Sequence, residues 1–168
     1  VYTGRGRAGA GTILHPDGLI VTNAHVIQRR PAEVRLADGR RLAARLLACD
    51  EGCDLAALSI AAGDLPALEL ANGRGPRPGE WVLALGHPWG VAGAVSAGMV
   101  IAAGRPLEGL RFDGALIQAG LQLRPGHSGG PMLDCAGRLV GINTMINGPA
   151  VGLAIPAGAV KRFLKRAL

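Results

Sequence analysis

The residue best suited to nucleophilic chemistry is Ser128, which lies in the segment 126–131 that reads Gly-His-Ser-Gly-Gly-Pro. Glycines on both sides allow the chain to turn tightly, so that the hydroxyl is exposed and peptide N–H groups converge. Two such donors stabilise the oxyanion of a tetrahedral intermediate, and loss of one typically costs about 10² to 10³ in turnover. The segment therefore predicts a serine that performs acyl transfer. The alternative is a glycine-rich hairpin with an incidental serine.

A serine hydroxyl needs a base to accept its proton, and near neutral pH that base is most often histidine. The chain has four histidines. His15 and His87 each precede a proline, and His127 adjoins the serine, where neighbouring side chains on an extended loop diverge. His25 instead follows the apolar run 19–22, so the end of a buried strand can deliver its imidazole to a cleft. We therefore predict His25 as the general base.

The base in turn requires an acceptor on its other ring nitrogen, which fixes the tautomer and stabilises the imidazolium. Asp54 stands directly before the apolar run 55–60, where an unpaired carboxylate would be costly. Two alternatives stay open, because Asp50 could take the same role and Asp54 could simply cap a turn. The order His, Asp, Ser along the chain is that of the chymotrypsin-like arrangement and differs from that of subtilisins and α/β-hydrolases.

Short apolar runs bounded by turn residues predict that strands position these side chains. The chain has 27 glycines and 11 prolines without a repeating period, and only 3% of its residues are aromatic. Residues 11–14 and 19–22 predict one hairpin, and residues 34–36 and 41–48 predict a second across an Asp-Gly turn. Further strands are predicted at 55–60, 81–85, 94–103, 115–118, 131–134, 139–145 and 151–155. The fold class is therefore all-β.

Only the end of the chain has helical spacing, because Val160, Phe163, Leu164 and Ala167 share one face of a helix. Segment 72–80, near the middle of the chain, is rich in glycine and proline and predicts a crossing between two halves. We find no apolar run of transmembrane length and no signal peptide, so membrane contact is expected only through segments outside this chain.

Charge and cysteine content exclude several classes of function. The net charge of +6 and the pI near 10.2 suggest nucleic acid first, but the arginines are dispersed and no aromatic residues are interleaved with them. We therefore expect a solvated basic surface and no nucleic-acid partner. Cys49 and Cys53 can pair only if the loop between them bends suitably, and Cys135 stays single. No spacing of Cys and His resembles a metal site, so neither metal nor cofactor is expected.

Several motifs together resemble one family over nearly the whole chain. Residues 9–13 and 17–26 resemble its histidine motif, residues 54–58 its aspartate motif, and residues 125–131 its nucleophile loop. Other matching segments are 86–90, 98–101, Arg105 and 141–144. On these residues the chain resembles the protease domain of the HtrA (Deg) family of trypsin-like serine proteases.

The resemblance implies a chymotrypsin/trypsin-like double β-barrel with a short C-terminal helix, and a triad in the cleft between the barrels. Residues 1–168 then form a single trypsin-like protease domain without a PDZ domain. The expected boundaries are a first barrel at 1–71, a crossing segment at 72–80, a second barrel at 81–156 and a closing helix at 157–168.

The resemblance also implies the substrate contacts. The oxyanion hole is expected from the N–H groups of Gly126, His127 and Ser128. An unfolded polypeptide is expected to pair as an added strand with Ile142, Asn143, Thr144 and Met145. Gln122 occupies the position at the base of the primary specificity pocket, where trypsins carry an aspartate. Cleavage after a small or medium aliphatic residue is therefore expected.

Some residues depart from the family pattern. His127 stands where the family usually has asparagine and where digestive trypsins have aspartate. No carboxylate next to Ser128 can therefore receive a freed N-terminus, so activation of the trypsin type is not expected. Gly120 replaces an acid in the segment before the nucleophile loop. The N-terminal segment that builds the family's trimer is missing, so a homotrimer is expected only of a full-length protein.

The predicted function is a serine endopeptidase that hydrolyses unfolded or misfolded proteins through an acyl-enzyme, in protein quality control. The resemblance alone places it outside the cytoplasm, either in the periplasm or anchored to a membrane and facing outward. The alternative is a catalytically silent module of the same fold that binds peptides in the manner of a chaperone.

Overall fold

The computed structural model describes residues 1–3, 7–27, 32–71, 73–105 and 114–168. Its first half contains seven strands and one short helix: β1 (Tyr2–Thr3), β2 (Arg7–Ala8), β3 (Thr12–His15), β4 (Leu19–Thr22), α1 (Ala24–Ile27), β5 (Ala32–Arg35), β6 (Arg41–Asp50) and β7 (Leu55–Ile60). Its second half contains six strands, a 3-10 turn and a helix: β8 (Trp81–Gly86), the turn Pro88–Gly90, β9 (Ala94–Arg105), β10 (Leu116–Gly120), β11 (Pro131–Asp134), β12 (Leu139–Ile146), β13 (Gly152–Pro156) and α2 (Ala157–Ala167).

The first sheet has the strand order β2-β1-β5-β6-β7-β4-β3, and its neighbouring strands are antiparallel. Both predicted hairpins are confirmed, since β3 pairs with β4 and β5 pairs with β6. Aliphatic side chains from β4, α1, β5 and β7 fill one core, which includes Ile20, Ile27, Val34 and Leu58. This core holds α1 against the sheet.

The second sheet closes into a six-stranded barrel in the order β10-β13-β12-β11-β8-β9. Alternate side chains of β8 point inward because successive residues of a strand face opposite sides, and Val82 and Ala84 are fully buried inside. Val100, Ile117 and Met132 join them from other strands. Small and aliphatic side chains therefore fill the barrel, as the low aromatic content requires.

A third core joins the two sheets. Val21 and Leu55 of the first sheet pack in one cluster with Ile142 and Ile155 of the barrel. Helix α2 adds its buried residues Val160 and Phe163 to the same cluster, so its apolar face closes the interface between the sheets. The Arg166 guanidinium lies 3.2 Å from the Asp50 carboxylate and ties the end of the helix to β6.

The all-β fold with a short C-terminal helix is confirmed. The sequence missed β1, β2, α1 and the 3-10 turn, all of which are four residues or shorter. The boundaries at 1–71, 72–80, 81–156 and 157–168 stay a prediction. Among the described residues, no helix is both long and apolar enough to cross a membrane.

No disulfide joins Cys49, Cys53 or Cys135. Cys49 packs against the core of the first sheet, whereas Cys53 packs against the core between the sheets. The two side chains therefore belong to different hydrophobic clusters. Burial raises the pKa of the Cys53 thiol to about 12, and its hydrogen bond to Asp50 and the charge of that residue add to the effect. Cys135 is exposed on the barrel.

We expect a thiol-alkylating reagent at pH 8 to modify Cys135 readily and to leave Cys53 unmodified in the folded protein. The physical reason is that only thiolates react, and a thiol with a pKa near 12 stays protonated at pH 8. Mass spectrometry of tryptic peptides measures the site of labelling, and Cys135→Ser is the control. Rapid modification of Cys53 in native protein would contradict the burial of its thiol.

Candidate active site

Asp54 ends the turn between β6 and β7 and adopts a left-handed backbone conformation, with φ of 50°. Aspartate is among the few residues that tolerate this region, in which most side chains are strained. The Asp54 carbonyl accepts the Asn23 side-chain amide at 3.0 Å and the Ala24 N–H at 3.2 Å. The unusual backbone at Asp54 therefore fixes the start of α1, the helix that carries His25.

The Asp54 carboxylate holds His25 in one orientation. His25 Nδ1 lies 2.9 Å from Oδ2 and 3.0 Å from Oδ1 of Asp54, and the His25 backbone N–H donates to Oδ1 at 3.0 Å. Because a carboxylate accepts the Nδ1 proton, Nε2 is left as the basic nitrogen. The His25 side chain is 49% exposed and that of Asp54 is 13% exposed, so the base opens to the cleft while its partner lies inside.

Asp50, the alternative partner, has a different role. Its Oδ1 accepts the backbone N–H groups of Gly52 at 3.0 Å and Cys53 at 3.2 Å, and Oδ2 faces Arg166. These backbone hydrogen bonds contribute to a pKa of Asp50 below its ordinary value, against the opposing effect of burial. Asp50 therefore caps the turn, and the acid that contacts His25 is Asp54.

Thr144 of β12 links the barrel to this pair. Its hydroxyl donates to Asp54 Oδ2 at 2.7 Å, so the carboxylate accepts donors from both halves of the fold. The sequence resemblance placed Thr144 among the substrate contacts and did not reveal this bond. The only signal was a pair of polar residues, Asn143 and Thr144, inside an otherwise apolar strand.

Ser128 is half-buried, and its hydroxyl donates to the Thr144 carbonyl at 2.9 Å. Within the described part of the chain, no hydrogen bond joins Ser128 Oγ to His25. The structure therefore gathers Ser128, His25 and Asp54 around Thr144, with the serine hydroxyl resting on a carbonyl. Such loose contacts are common before substrate binds, when catalytic hydrogen bonds are often long or misaligned.

The nucleophile loop begins with a tight turn at residues 124–127. The His127 N–H donates to the Arg124 carbonyl at 3.0 Å, and Gly126 has a φ of 107°. Proline followed by glycine at the two central positions is the pattern of a type II turn, which requires positive φ at the second of them. A flip of the central peptide distinguishes this turn from type I, so Pro125 and Gly126 fix the direction of the Gly126 N–H.

The turn engages one of the three N–H groups expected in the oxyanion hole and leaves the other two without an acceptor among the described residues. Those of Gly126 and Ser128 donate to no other residue that the structure describes, and so remain available. The prediction for His127 is corrected, because its N–H is engaged with the Arg124 carbonyl.

Close packing explains the glycines that follow the serine. The Gly129 N–H donates to Asn143 O at 2.9 Å, and Gly129 has a φ of 84°. A Cβ added at Gly129 would collide with the Thr22 hydroxyl and the Ala10 carbonyl. The Ala10 N–H also donates to Ser128 O at 2.8 Å. The first sheet therefore contacts the nucleophile loop directly, and only glycine fits between them.

Two expected substrate contacts are corrected. Ile142 is fully buried in the core between the sheets. Asn143 donates its side-chain amide to Leu85 O at 3.1 Å and Pro131 O at 3.0 Å, and its backbone binds Gly129 and Gly130. Both residues therefore support the site through packing and hydrogen bonds inside the protein. Pairing with β11 ends at Ile142, so the following residues, Thr144 and Met145, form an open strand edge on that side of the described structure.

Gln122 lies at the surface, and its expected place at the base of the specificity pocket stays a prediction. Its Oε1 accepts a hydrogen bond from Arg124 Nη2 at 2.9 Å. The Arg124 guanidinium lies 4.8 Å from the centre of the Trp89 ring, a cation–π distance. Gln122 thus helps to position the first residue of the tight turn. Within the described residues, no three His, Cys, Asp or Glu side chains cluster as metal ligands.

Comparison with known proteins identifies the family. A family model described as trypsin-like peptidase domain matches residues 9–142. "Serine protease HTRA2, mitochondrial" of Drosophila pseudoobscura pseudoobscura is 39% identical over 165 residues, covering 95% of this chain and 39% of that protein. "Probable periplasmic serine endoprotease DegP-like" of Hahella chejuensis is 43% identical over 139 residues, covering 82% of this chain and 29% of that protein.

A solved structure described as HtrA-type protease AlgW with decapeptide is 37% identical, with a TM-score of 0.87, and the match covers 95% of this chain and 52% of that one. The chain therefore belongs to the trypsin-like peptidase family, as a protease domain of the HtrA type. The resemblance predicted from its motifs is confirmed. The chain spans 39% or less of the length of these two curated relatives.

We expect Gly129→Ala to destabilise the protein by roughly 2 to 4 kcal/mol, because the new Cβ adds a steric collision to an unfavourable φ. Denaturant unfolding followed by circular dichroism measures the change. Gly137→Ala is the matched control, since Gly137 has a φ of 76° but no atom near its missing Cβ. Equal losses in the two variants would show that the packing on the first sheet is not the cause.

Proposed function

We propose that this chain is the catalytic domain of a serine endopeptidase, with Ser128 as nucleophile, His25 as general base and Asp54 as the residue that orients the base. One observation carries the proposal. The Asp54 carboxylate binds both His25 Nδ1 and the Thr144 hydroxyl, while the Thr144 carbonyl accepts the Ser128 hydroxyl. Membership of the trypsin-like peptidase family supports the same roles.

In the proposed reaction, the Ser128 hydroxyl rotates from Thr144 O towards His25 Nε2. His25 accepts the proton as Ser128 Oγ attacks the scissile carbonyl, and Asp54 stabilises the imidazolium. The N–H groups of Gly126 and Ser128 bind the oxyanion. His25 then protonates the leaving amine, and a water molecule activated by His25 hydrolyses the acyl-enzyme.

We propose that the substrate is an extended polypeptide that pairs with the open edge of β12 from Thr144 to Ile146. Main-chain pairing of this kind requires an unfolded segment, because a folded substrate already uses its own backbone groups. This requirement supports a role in removing unfolded or misfolded proteins. The similar protease AlgW was solved with a decapeptide, so a peptide is a ligand of one related protease.

Two further aspects of the proposal rest on the curated relatives. One relative is named a periplasmic endoprotease and another is named mitochondrial, so we propose only a compartment outside the cytosol. For specificity we propose cleavage after a small or medium aliphatic residue. Gln122 carries no charge that would bind a basic side chain, and its neighbours Leu121 and Leu123 are apolar and buried against Gly152.

One observation favours the second candidate, a catalytically silent peptide-binding module. The Ser128 hydroxyl donates to Thr144 O, and no described contact joins it to His25. A protein that kept this arrangement with substrate bound would hold a peptide without cleaving it. The two candidates make opposite predictions for covalent modification of Ser128.

We expect a fluorophosphonate probe to label the native protein at Ser128 and to leave Ser128→Ala unlabelled. His25→Ala should label at least about 10³-fold more slowly, because the hydroxyl loses its proton acceptor. Gel fluorescence and peptide mass spectrometry measure the rate and the site. Absence of label on native protein, with and without an added unfolded polypeptide, would favour the silent module.

We expect Asp54→Asn to slow acylation about 10³- to 10⁴-fold with little change in melting temperature. Asparagine tolerates the positive φ at this position, but it removes the charge that stabilises the imidazolium. Asp50→Asn is the matched control, since Asp50 accepts backbone donors nearby without contacting His25. A native rate in Asp54→Asn would exclude Asp54 as the partner of the base.

A further inference from the structure

His127 is a buried titratable residue that the proposed reaction does not use. It is 3% exposed, although it lies next to the nucleophile. Its Nδ1 is 3.1 Å from both the backbone N and the carbonyl O of Arg124. Its Nε2 is buried and has no hydrogen-bond partner among the described residues. The ring therefore bonds the same tight turn whose central peptide carries the Gly126 N–H.

The bond that Nδ1 makes depends on protonation. A neutral imidazole with its proton on Nε2 uses Nδ1 to accept the Arg124 N–H. In a protonated imidazole both nitrogens are donors, so Nδ1–H would oppose the Arg124 N–H. It would turn instead to the Arg124 carbonyl, which already accepts the His127 N–H that closes the turn. Protonation thus leaves the Arg124 N–H without its acceptor and adds a second donor to the carbonyl that closes the turn.

The hydrogen bonds of the His127 ring involve no acidic side chain among the described residues, since both contacts of Nδ1 go to the Arg124 backbone. The cation of Arg124 is directed to Trp89 and Gln122. His87 is the titratable residue in the segment that packs against the His127 ring. Burial lowers the pKa of His87, and the positive charges of the amino terminus, Arg35 and His127 add to the effect.

Two further titratable groups near the loop, His25 and Asp54, reach it through Ser128 and Thr144 and are bonded to each other. Gly86 provides the space for the ring, because a Cβ there would lie 3.0 Å from His127 Cδ2 and 2.6 Å from its Cα. The imidazole therefore has little room to move away when it gains a proton.

We propose that His127 is a positioning residue that fully holds the oxyanion turn only in its neutral form, so that protonation of His127 weakens the turn and slows acylation of Ser128. The inference rests on the proposed function. An asparagine here would behave differently, since its amide carries a separate acceptor and donor and can bond the Arg124 N–H and carbonyl together at any pH.

The test compares the pH dependence of fluorophosphonate acylation in native protein and His127→Asn, from about pH 4.5 to pH 8. If protonation of His127 weakens the turn, the native rate should fall with acid more steeply than the rate of His127→Asn, which has no ring to protonate at this position. A reaction that depends on one protonation falls by at most about 10-fold per pH unit, so a steeper native slope indicates the second protonation. His87→Asn is the matched control and should keep the steep native profile.

The outcomes separate this inference from the proposed function. If native protein and His127→Asn both react but fall by the same factor per pH unit, the role of His127 is wrong and the protease assignment stands. If neither reacts with the probe at any pH, the proposed function itself fails.

A second measurement does not depend on activity or on the folding of His127→Asn. In ¹⁵N-labelled Ser128→Ala, nuclear magnetic resonance follows the His127 ring and the Gly126 amide during a pH titration. We expect a neutral ring with its proton on Nε2 and a Gly126 amide shift with the same midpoint as the ring. A Gly126 amide that does not respond to His127 would overturn the inference.

Discussion

The arrangement of the site depends on one group, the Asp54 carboxylate. It accepts the backbone and ring N–H groups of His25 from the first sheet and the hydroxyl of Thr144 from the barrel. A buried carboxylate is costly unless donors surround it, so the first sheet alone would leave Asp54 partly unsatisfied. The imidazole is therefore fully fixed only when the two halves of the fold pack together, and the aliphatic core between the sheets drives that packing.

Ser128, the proposed nucleophile, also depends on contacts between the two halves of the fold. Ser128 belongs to the barrel by sequence, yet Ser128 O accepts the Ala10 N–H, and Gly129 O accepts the Thr12 hydroxyl at 3.1 Å. Each half of the fold thus carries part of the site and completes the hydrogen bonds of the other half. Local loosening of the interface between the two sheets would disturb His25 and Ser128 together, because both depend on hydrogen bonds across that interface.

Features governed by short-range patterns were predictable from the sequence. The strands β7 and β11 were predicted to the residue, since apolar runs bounded by turn residues mark their ends. Helix α1 was missed because its four residues are too few to show helical periodicity. The roles of Ile142 and Asn143 were misassigned, because the burial of a strand residue and the partners of its backbone depend on segments distant in sequence. The N–H of His127 was misassigned for a local reason, namely the hydrogen bond that closes a type II turn.

Thr144 connects substrate binding to activation of the serine in the proposed mechanism. Its hydroxyl is held by Asp54, so its carbonyl direction is fixed, and at rest that carbonyl accepts the Ser128 hydroxyl. A polypeptide pairing with the open edge of β12 needs main-chain acceptors, and Thr144 O is the acceptor nearest to the nucleophile. A substrate N–H that binds this carbonyl competes with the Ser128 hydroxyl, which then needs another acceptor. His25 Nε2 is the unprotonated nitrogen left by the Asp54 contact, so arrival of the substrate strand itself would direct the hydroxyl to the base.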